Sequence, residues 1–521
     1  MLVLLVASPA TAQIPDARVV PKGVLSVSFA PEYKNYDSRF ALNSAVVPDG
    51  KEEPLGADFT VAALGANLIH TLRAPTEALR TFLADSTFNY DLGALTTDLD
   101  ADIRRFPFDF QLGLTDRLTV RATIPIITTR VNSFVTLDST NATAGWNPAS
   151  LASGAGGVTA IQNLMISLAT AVGFVESQIA AGAYGCPTAP TCADAVAALF
   201  RARALSATVA VVTGVETMGV TGELPPAVPL STSPAGQVLL AELAAVESQF
   251  AALGAPPFLG GLPLPSGRLA ADNLDQILVN SEFGYSAFPL ATTKLSRLGD
   301  IELGVRYQIA SGDALRALVF STVRLPTGTL DSPRHFLDIS TGDRQTDIVA
   351  GIETVYAAPS NIGFAATASY TLQLSSSRSM RVTRPDQPLA VAADEFSVNR
   401  DLGEIFQFSF HPWLRLGEGV RAYTSVSYYH KGSDVWSAAN GLPTLSLATA
   451  EDLGLESSNT SWSFGGGLSY RSTRSGRDRP ELPIEAGLSY LSVFSGSGGL
   501  TPKFNRLNLY LRLYYRIFGG R

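Results

Sequence analysis

Apolar and polar residues alternate along several segments of the chain, a period of two that is typical of β-strands with one face in an apolar environment. The alternation is longest at the end of the chain. Every second residue over 507–517 is Leu, Tyr or Ile, and the positions between them are Asn508, Tyr510, Arg512, Tyr514 and Arg516. Such a strand requires an apolar surrounding on one side and a polar space on the other.

The same alternation recurs in five pairs of segments, each joined by a turn or a short loop. The pairs cover roughly residues 106–126, 301–327, 345–374, 406–429 and 461–490. Another alternating segment, 25–29, stands alone near the beginning. With the final segment, these give about twelve strands, within a range of about 10 to 14, and an even count is the one found in bacterial outer-membrane barrels.

The predicted connections differ in length on the two sides of the sheet. A long connection over 37–103 follows the first strand, and a very long one over 132–297 follows the third. Long loops on one side and short turns on the other are typical of outer-membrane barrels, whose termini lie in the periplasm. Because hydrocarbon offers no hydrogen-bond partners, such a sheet must close on itself. The sequence therefore predicts an all-β transmembrane barrel of antiparallel strands, with its first strand beside its last.

Both long connections contain helical patterns. Apolar residues at helical spacing in the second connection are Ile161, Met165, Leu168, Val172, Val175, Ile179, Leu239, Leu243, Val246, Phe250 and Leu253. Residues 193–213 between these stripes are rich in Ala. In the first connection, Ala78, Leu79, Phe82 and Leu83 form a shorter stripe. The spacing predicts a helix in the outer loop 37–103 and a mostly α-helical extracellular insertion over 132–297. The stripes are interpreted as the insertion's own core, and the alternative is a docking surface.

Composition agrees with a membrane barrel. Of 521 residues, 46% are hydrophobic and 16% are charged, compared with roughly 25% charged residues in an average soluble domain. We find no run of 18 or more purely apolar residues, so no helical membrane span is predicted. The net charge of −8 includes no basic tract, which argues against nucleic-acid binding.

The beginning of the chain resembles a secretory signal peptide. Residues 2–7 form a short apolar run, and Ala10-Thr11-Ala12 fits a small-x-small cleavage site, although a basic region is missing before them. These features predict a signal peptide over 1–12 and a barrel over 13–521, in the outer membrane of a Gram-negative-type bacterium. In an exported chain, Cys186 and Cys192 are expected to form a disulfide. A metal site is the alternative, but no second Cys or His pair lies nearby.

Three stretches resemble a known family. They are FQLGLTDRLTVRATIPI (110–126), LGDIELGVRYQI (298–309) and VRLPTGT (323–329). In this order they are similar to outer-membrane proteins of the "MetA-pathway of phenol degradation" transporter type. The resemblance implies a barrel that admits small, often aromatic, hydrophobic molecules. The long helical insertion is not expected in a typical member.

The sequence offers little for catalysis. It contains four histidines and neither a G-x-S-x-G nor an H-E-x-x-H motif. His411 and Ser409 share the predicted inward face of one strand, whereas a barrel phospholipase needs its dyad on the outward face. We therefore interpret His411 as a lumen histidine with satisfied hydrogen bonds, and we predict neither an enzyme nor a cofactor.

Polar residues on the predicted inward faces are the candidates for function. The lumen-lining set is Arg121, Glu302, Arg306, Glu353, Arg421, Glu485, Arg512 and Arg516. These charges either pair to brace a narrow barrel or form a constriction that selects solutes. The glutamates argue against a purely anion-selective pore. Outward aromatic residues are predicted to anchor the barrel at the lipid interfaces, namely Phe106, Trp462, Tyr470, Tyr490 and Tyr515.

Two functions are compatible with these predictions. The first is a channel for passive uptake of small, hydrophobic or aromatic molecules, whose partners are outer-membrane lipids and the solute. The alternative is a plugged barrel that displays a helical surface domain, with a surface partner or self-association through 158–253.

Overall fold

The computed structural model describes residues 15–41, 49–153, 156–220, 222–383, 387–439, 449–472 and 484–518, so the predicted signal peptide lies outside the described residues. Twelve strands form one antiparallel sheet. In chain order they are β1 (two segments, Val24–Phe29 and Glu32–Phe40), β2 (Ala94–Gly113), β3 (Leu118–Asp138), β4 (two segments, Thr293–Leu298 and Glu302–Ser311), β5 (Leu315–Arg324), β6 (Asp347–Ala357), β7 (Ile362–Gln373), β8 (Ile405–Arg415), β9 (Val420–Lys431), β10 (Asn459–Arg471), β11 (Glu485–Ser497) and β12 (Thr501–Arg516). The count of twelve confirms the prediction.

The sheet closes between its first and last strands. In the β1–β12 pair, Val24 lies opposite Arg516 and Phe29 lies opposite Leu511. We call the end with both termini and the short turns the turn end, and the opposite end, with the long connections, the loop end. Closure gives every strand two hydrogen-bonded neighbours, as a sheet in hydrocarbon requires.

The alternation predicted from the sequence separates the two faces of the barrel. On β12, Leu507, Leu509 and Leu511 are 42–50% exposed on the outside. Between them, Asn508 and Tyr510 are buried on the inside. The predicted interfacial aromatics also face outward, with Trp462, Tyr470, Tyr490 and Tyr515 exposed and Phe106 half-buried. The outer surface is therefore an apolar belt that suits lipid.

Strands β2 and β3 continue past this belt, and the polarity of their faces inverts. Near the turn end, Ile124 and Ile126 of β3 are exposed on the outside. Farther along, the outward positions become Arg130 and Asn132, while Val131 is completely buried on the inside. Strand β2 behaves likewise, with exposed Thr96, Asp98 and Asp100 opposite the buried side chains of Leu95 and Leu99. The inversion marks the level at which these strands leave the lipid.

This inversion corrects the strand boundaries drawn from the sequence. The predicted connections 37–103 and 132–297 include the upper parts of β1, β2 and β3, and the first segment of β4. Thr293–Leu298 pairs with β3 over residues 126–131. These segments were missed because their apolar side chains point inward, so that no lipid-facing stripe identifies them.

A helical domain occupies the loop end. Its helices are α1 (Arg73–Leu83), α2 (Gly156–Ala180), α3 (Pro190–Thr213), α4 (Pro234–Ala252) and α5 (Ala271–Val279). The predicted stripes form its own core, since Ile161, Val175, Leu239, Val246 and Phe250 are at most 1% exposed. The predicted disulfide is confirmed: Cys186, in the loop between α2 and α3, is bonded to Cys192 in the first turn of α3. Helix α5 was not predicted from the sequence.

Helices α2 and α3 are long and apolar enough to cross a membrane, by length and composition alone. Neither helix is a purely apolar run: α2, for example, contains Thr, Gln, Asn and Ser, although it has no charge before Glu176. The two helices pack on each other, and α3 also packs on α1 and α4.

The helical domain shares its core with the barrel. The buried cluster that contains the helix stripes also includes Tyr36, Leu99 and Val131 from the upper strands, and Leu337 and Leu389 from two barrel loops. Backbone hydrogen bonds join the same parts. The Phe288 amide donates to the Arg334 carbonyl (2.8 Å), and the Ala392 amide donates to the Gly284 carbonyl (2.7 Å). The domain is therefore a cap that continues the barrel wall.

Candidate functional site

The predicted lumen residues lie on inward positions of their strands, at three levels. Arg121, Glu302, Arg306 and Glu353 line a central cavity. Arg421 and Glu485 line a second cavity toward the turn end. Arg512 and Arg516 line neither of these cavities, and Arg516 is exposed at the last residue of β12.

Most of these charges belong to ion pairs. Arg306 contacts Glu353 at 2.6 Å, Arg105 contacts Glu302 at 3.0 Å, and Arg121 contacts Asp109. Nearer the turn end, Glu485 contacts Arg512 at 3.2 Å and Arg471 at 3.4 Å. Arg421 instead lies over the ring of Trp413, with 4.7 Å from its guanidinium carbon to the ring centroid. Pairing of this kind braces the lumen and leaves little free charge in it.

Several partners in these pairs were not among the sequence candidates. Asp109 accepts hydrogen bonds from Arg121 and also from Thr123 (2.8 Å), Gln111 (2.6 Å) and Ser28 (3.2 Å). Asp109 occupies an inward position of a predicted strand, so its alternation was a usable signal. Its role depends on the register between neighbouring strands, which the sequence does not give.

The central cavity amounts to about 1630 Å³, counted with the solvent space at its openings. One part of its wall is polar, with hydroxyl and amide side chains such as Thr322, Ser369 and Gln407. The part formed by β11 and β12 includes the apolar side chains of Leu491, Val493 and Phe504, with Arg506 beside them. Both kinds of surface are thus available to one bound molecule.

A segment near the chain start runs inside the barrel at the turn end. Asp16 contacts Arg471 at 2.8 Å and Arg316 at 3.8 Å. The Ala17 carbonyl accepts a hydrogen bond from the Gln308 amide (2.7 Å), and the Val20 amide donates to Thr119 (2.9 Å). The side chain of Ala17 is buried in an inward apolar cluster with Leu318, Val355, Ala365, Trp413 and Tyr423. We call residues 15–20 the inner segment. It lies in the lumen between the central cavity, which Pro15 lines, and the second cavity toward the turn end, which Asp16 lines.

The cap lies above the cavity on the other side. Tyr36, which belongs to the core of the cap, contacts the cavity-lining Phe504 with ring centroids 5.3 Å apart. The central cavity is therefore bounded by the cap toward the loop end and by the inner segment toward the turn end.

His411 lies inward, as predicted, but its hydrogen bonds are not satisfied by protein. Its side chain is buried, lines the central cavity and meets the ring of Tyr423 edge-on at 6.1 Å. Among the described residues, no protein group pairs with its Nδ1. For this buried Nδ1 the prediction of a satisfied histidine was therefore wrong, because its pairing depends on neighbouring strands that the sequence does not identify. His430 is exposed, and its Nδ1 lies 3.0 Å from the Thr460 hydroxyl.

No protein-family model and no curated protein matches the chain. Among solved structures, it is similar to an outer membrane channel from Pseudomonas putida F1, at 9% identity, over 98% of this chain and 100% of that chain, with a TM-score of 0.42. It is also similar to a FadL homologue from Pseudomonas aeruginosa (10% identity, 95% and 90% of the two chains, TM-score 0.28). A third similar structure is the toluene transporter TbuX from Ralstonia pickettii (10% identity, 96% of this chain and 90% of that chain, TM-score 0.29).

These likenesses carry no argument about a solute. Membership of the phenol-degradation transporter type stays a prediction. The fold itself, a closed even-stranded barrel with an apolar outer belt, is that of an outer-membrane protein.

Proposed function

We propose that the protein is an outer-membrane channel that takes up small, hydrophobic or aromatic molecules through the central cavity of its barrel. The cap faces the cell exterior in this proposal, because outer-membrane barrels have their termini and short turns on the periplasmic side. Solutes then pass from the cap side to the inner segment.

The observation that carries this proposal is the cavity between the cap and the inner segment. A barrel that served only as an anchor could fill its lumen with side chains, as small barrels do. Here the described residues leave a cavity with an apolar wall next to a polar one. That mixed lining suits a small molecule that is mostly apolar and carries one or two polar groups.

Uptake of radiolabelled small aromatic solutes into liposomes tests the proposal. Val493→Trp should fill the cavity, since Val493 lines it and is 2% exposed. Phe494→Trp is the matched control, because Phe494 is the next residue and is 58% exposed on the outer face. We expect the first variant to reduce uptake at least several-fold and the second to leave it unchanged.

Equal uptake by the two variants would contradict a route through the cavity. If the wild-type protein speeds uptake of none of the solutes, the channel itself is wrong and the plugged anchor becomes the better interpretation. Circular dichroism of both variants in detergent controls for folding.

A further inference from the structure

Arg506 is a buried cation on the wall of the central cavity. It lies on β12, is 7% exposed and lines the cavity. No salt bridge involves it among the described residues, and its Nε has no hydrogen-bond partner there. A buried guanidinium without a salt bridge is unfavourable, so its presence calls for an explanation.

The other cations of the cavity wall all have carboxylate partners. Lys34 contacts Glu32 at 3.1 Å and Arg324 contacts Asp347 at 2.7 Å. Arg306 and Arg121 belong to the pairs described above. Glu302, the remaining carboxylate of the wall besides Glu353, is held by Arg105. Counted over the part of the chain that the structure describes, the wall therefore carries one positive charge in excess, at Arg506.

The pairing of β1 with β12 concentrates the excess positive charge at one place on the cavity wall. Arg506 lies directly opposite Lys34 in the β1–β12 pair, and like charges at opposed positions destabilise a sheet. The nearest carboxylate on β1 is Glu32, which contacts Lys34 and lies directly opposite Arg105 in the β1–β2 pair. With Glu302 included, three cations share two carboxylates. A third anion at this place would balance the cluster.

An apolar surface adjoins the excess charge. Leu491 is the partner of Arg506 across the β11–β12 pair, and Val493 and Phe504 line the cavity beside it. Farther around the wall, the buried His411 Nδ1 and Tyr429 hydroxyl also have no protein partner among the described residues. The arrangement offers one charged point beside an apolar wall.

We propose that the central cavity binds a small monocarboxylate with an aromatic or aliphatic body. Its carboxylate lies on Arg506, whose planar guanidinium matches the two oxygens. Its body lies against Leu491, Val493 and Phe504. This inference rests on the proposed function and narrows the solute from hydrophobic molecules in general to organic acids.

Calorimetric titration of the full-length protein in detergent tests the inference, with benzoate as the probe and toluene as its neutral counterpart. Arg506→Met keeps an extended side chain but removes the charge. Arg506→Lys keeps the charge but removes the planar guanidinium. The matched control is Arg512→Met, which lies on the same face of β12 but outside the cavity lining, and Glu485 retains Arg471 in that variant.

Benzoate should bind the wild type at least tenfold more tightly than toluene does. Arg506→Met should weaken benzoate binding at least tenfold, Arg506→Lys should recover part of the loss, and Arg512→Met should change nothing. Equal losses in both methionine variants would overturn the assignment to Arg506. Inorganic phosphate or chloride that competes with benzoate at equal concentration would overturn the amphipathic ligand and leave a general anion site.

Failure of this inference differs from failure of the channel. If benzoate does not bind but neutral aromatics still enter liposomes in a Val493-dependent manner, the channel stands without the acid site. If neither occurs, both proposals are wrong.

Discussion

Asp109 shows how the lumen accommodates a buried charged side chain. Asp109 is 6% exposed and collects four donors, among them the guanidinium of Arg121. Such a pair need not stabilise the fold more than two apolar residues of similar volume. Once both charges are buried, however, the loss of one partner leaves the other without compensation.

We expect Asp109→Ala to destabilise the barrel by about 3 kcal/mol or more, because Arg121 would remain buried without its carboxylate. The measurement is urea unfolding in lipid vesicles, followed by tryptophan fluorescence. Asp116→Ala is the control, since Asp116 is exposed in the turn between β2 and β3. Equal stability of the two variants would show that the Asp109 network contributes little.

Asp338 gives the loop end a dependence on pH. Burial raises its pKa to about 7, with a further rise from Asp331 that is opposed by Arg378 and by the Ser332 amide. A carboxyl whose pKa is higher in the folded than in the unfolded protein stabilises the fold below its ordinary pKa, and that stabilisation is lost as pH rises through the folded pKa.

We therefore expect stability to fall between about pH 4 and pH 7 and to level off above that range. Asp338→Asn should remove much of this slope and raise stability at pH 8 by about 1–2 kcal/mol, a figure reduced for partial exposure. Thermal unfolding at several pH values measures it. The control is Asp98→Asn, at an exposed outward position of β2. An unchanged slope in Asp338→Asn would assign the pH dependence to other groups.

Among the elements, β3 shows most directly where the membrane ends. Its outward face changes from Ile124 and Ile126 to Arg130 and Asn132, while its inward face changes in the opposite sense. In its lower half, the strand therefore faces lipid on the outside and the lumen on the inside. In its upper half, it faces water on the outside and the core of the cap on the inside.

The free-energy cost of a cation on the outward face of β3 should therefore depend on its position along the barrel axis. We expect Ile124→Arg to cost about 2–4 kcal/mol, as for a cation near the bilayer midplane. Phe134→Arg, on the same face of the same strand, should be nearly neutral, because Phe134 lies above the inversion and is 69% exposed. Unfolding titrations in vesicles compare the two, and similar costs would place the membrane boundary elsewhere.

For the whole molecule, sequence reasoning succeeded where one face meets lipid. The leucines of β12 and the isoleucines of β3 produce a regular stripe because hydrocarbon accepts only apolar side chains. The strand count and the closure follow from that stripe and from backbone pairing. Helix stripes such as Ile161 to Ile179 were found for the same reason, since a helix core is also periodic.

The features that could not be predicted from the sequence depend on strand register or on segments without periodicity. Arg506 lies one residue before the stripe that identified β12, and its position opposite Lys34 follows only from the pairing of two distant segments. The second segment of β1, Glu32–Phe40, has Tyr and charged residues on both faces, so it carries no lipid signature. The inner segment has no periodicity at all, and its place in the lumen depends on Asp16 and Ala17 finding partners in several strands.

The inner segment should limit flux through the whole barrel. Asp16→Asn removes the charge that contacts Arg471 and Arg316, so we expect the segment to leave the lumen more often and single-channel conductance to rise at least several-fold. Planar-bilayer recordings measure it. Asp116→Asn, an exposed substitution at the same end, should leave conductance unchanged. If Asp16→Asn conducts like the wild type, the segment does not limit flux.

The unbroken ladder from the barrel into the cap has a mechanical consequence. Strands β2 and β3 pair along their whole length, from Ala94 opposite Asp138 to Gly113 opposite Thr119, and Thr293–Leu298 extends the same sheet. Swinging aside a cap mounted in this way would break a row of backbone hydrogen bonds. The inner segment is instead held by a few side-chain contacts. The compliant part of this barrel is therefore expected at its turn end, and the loop end, which carries the cap, is expected to be rigid.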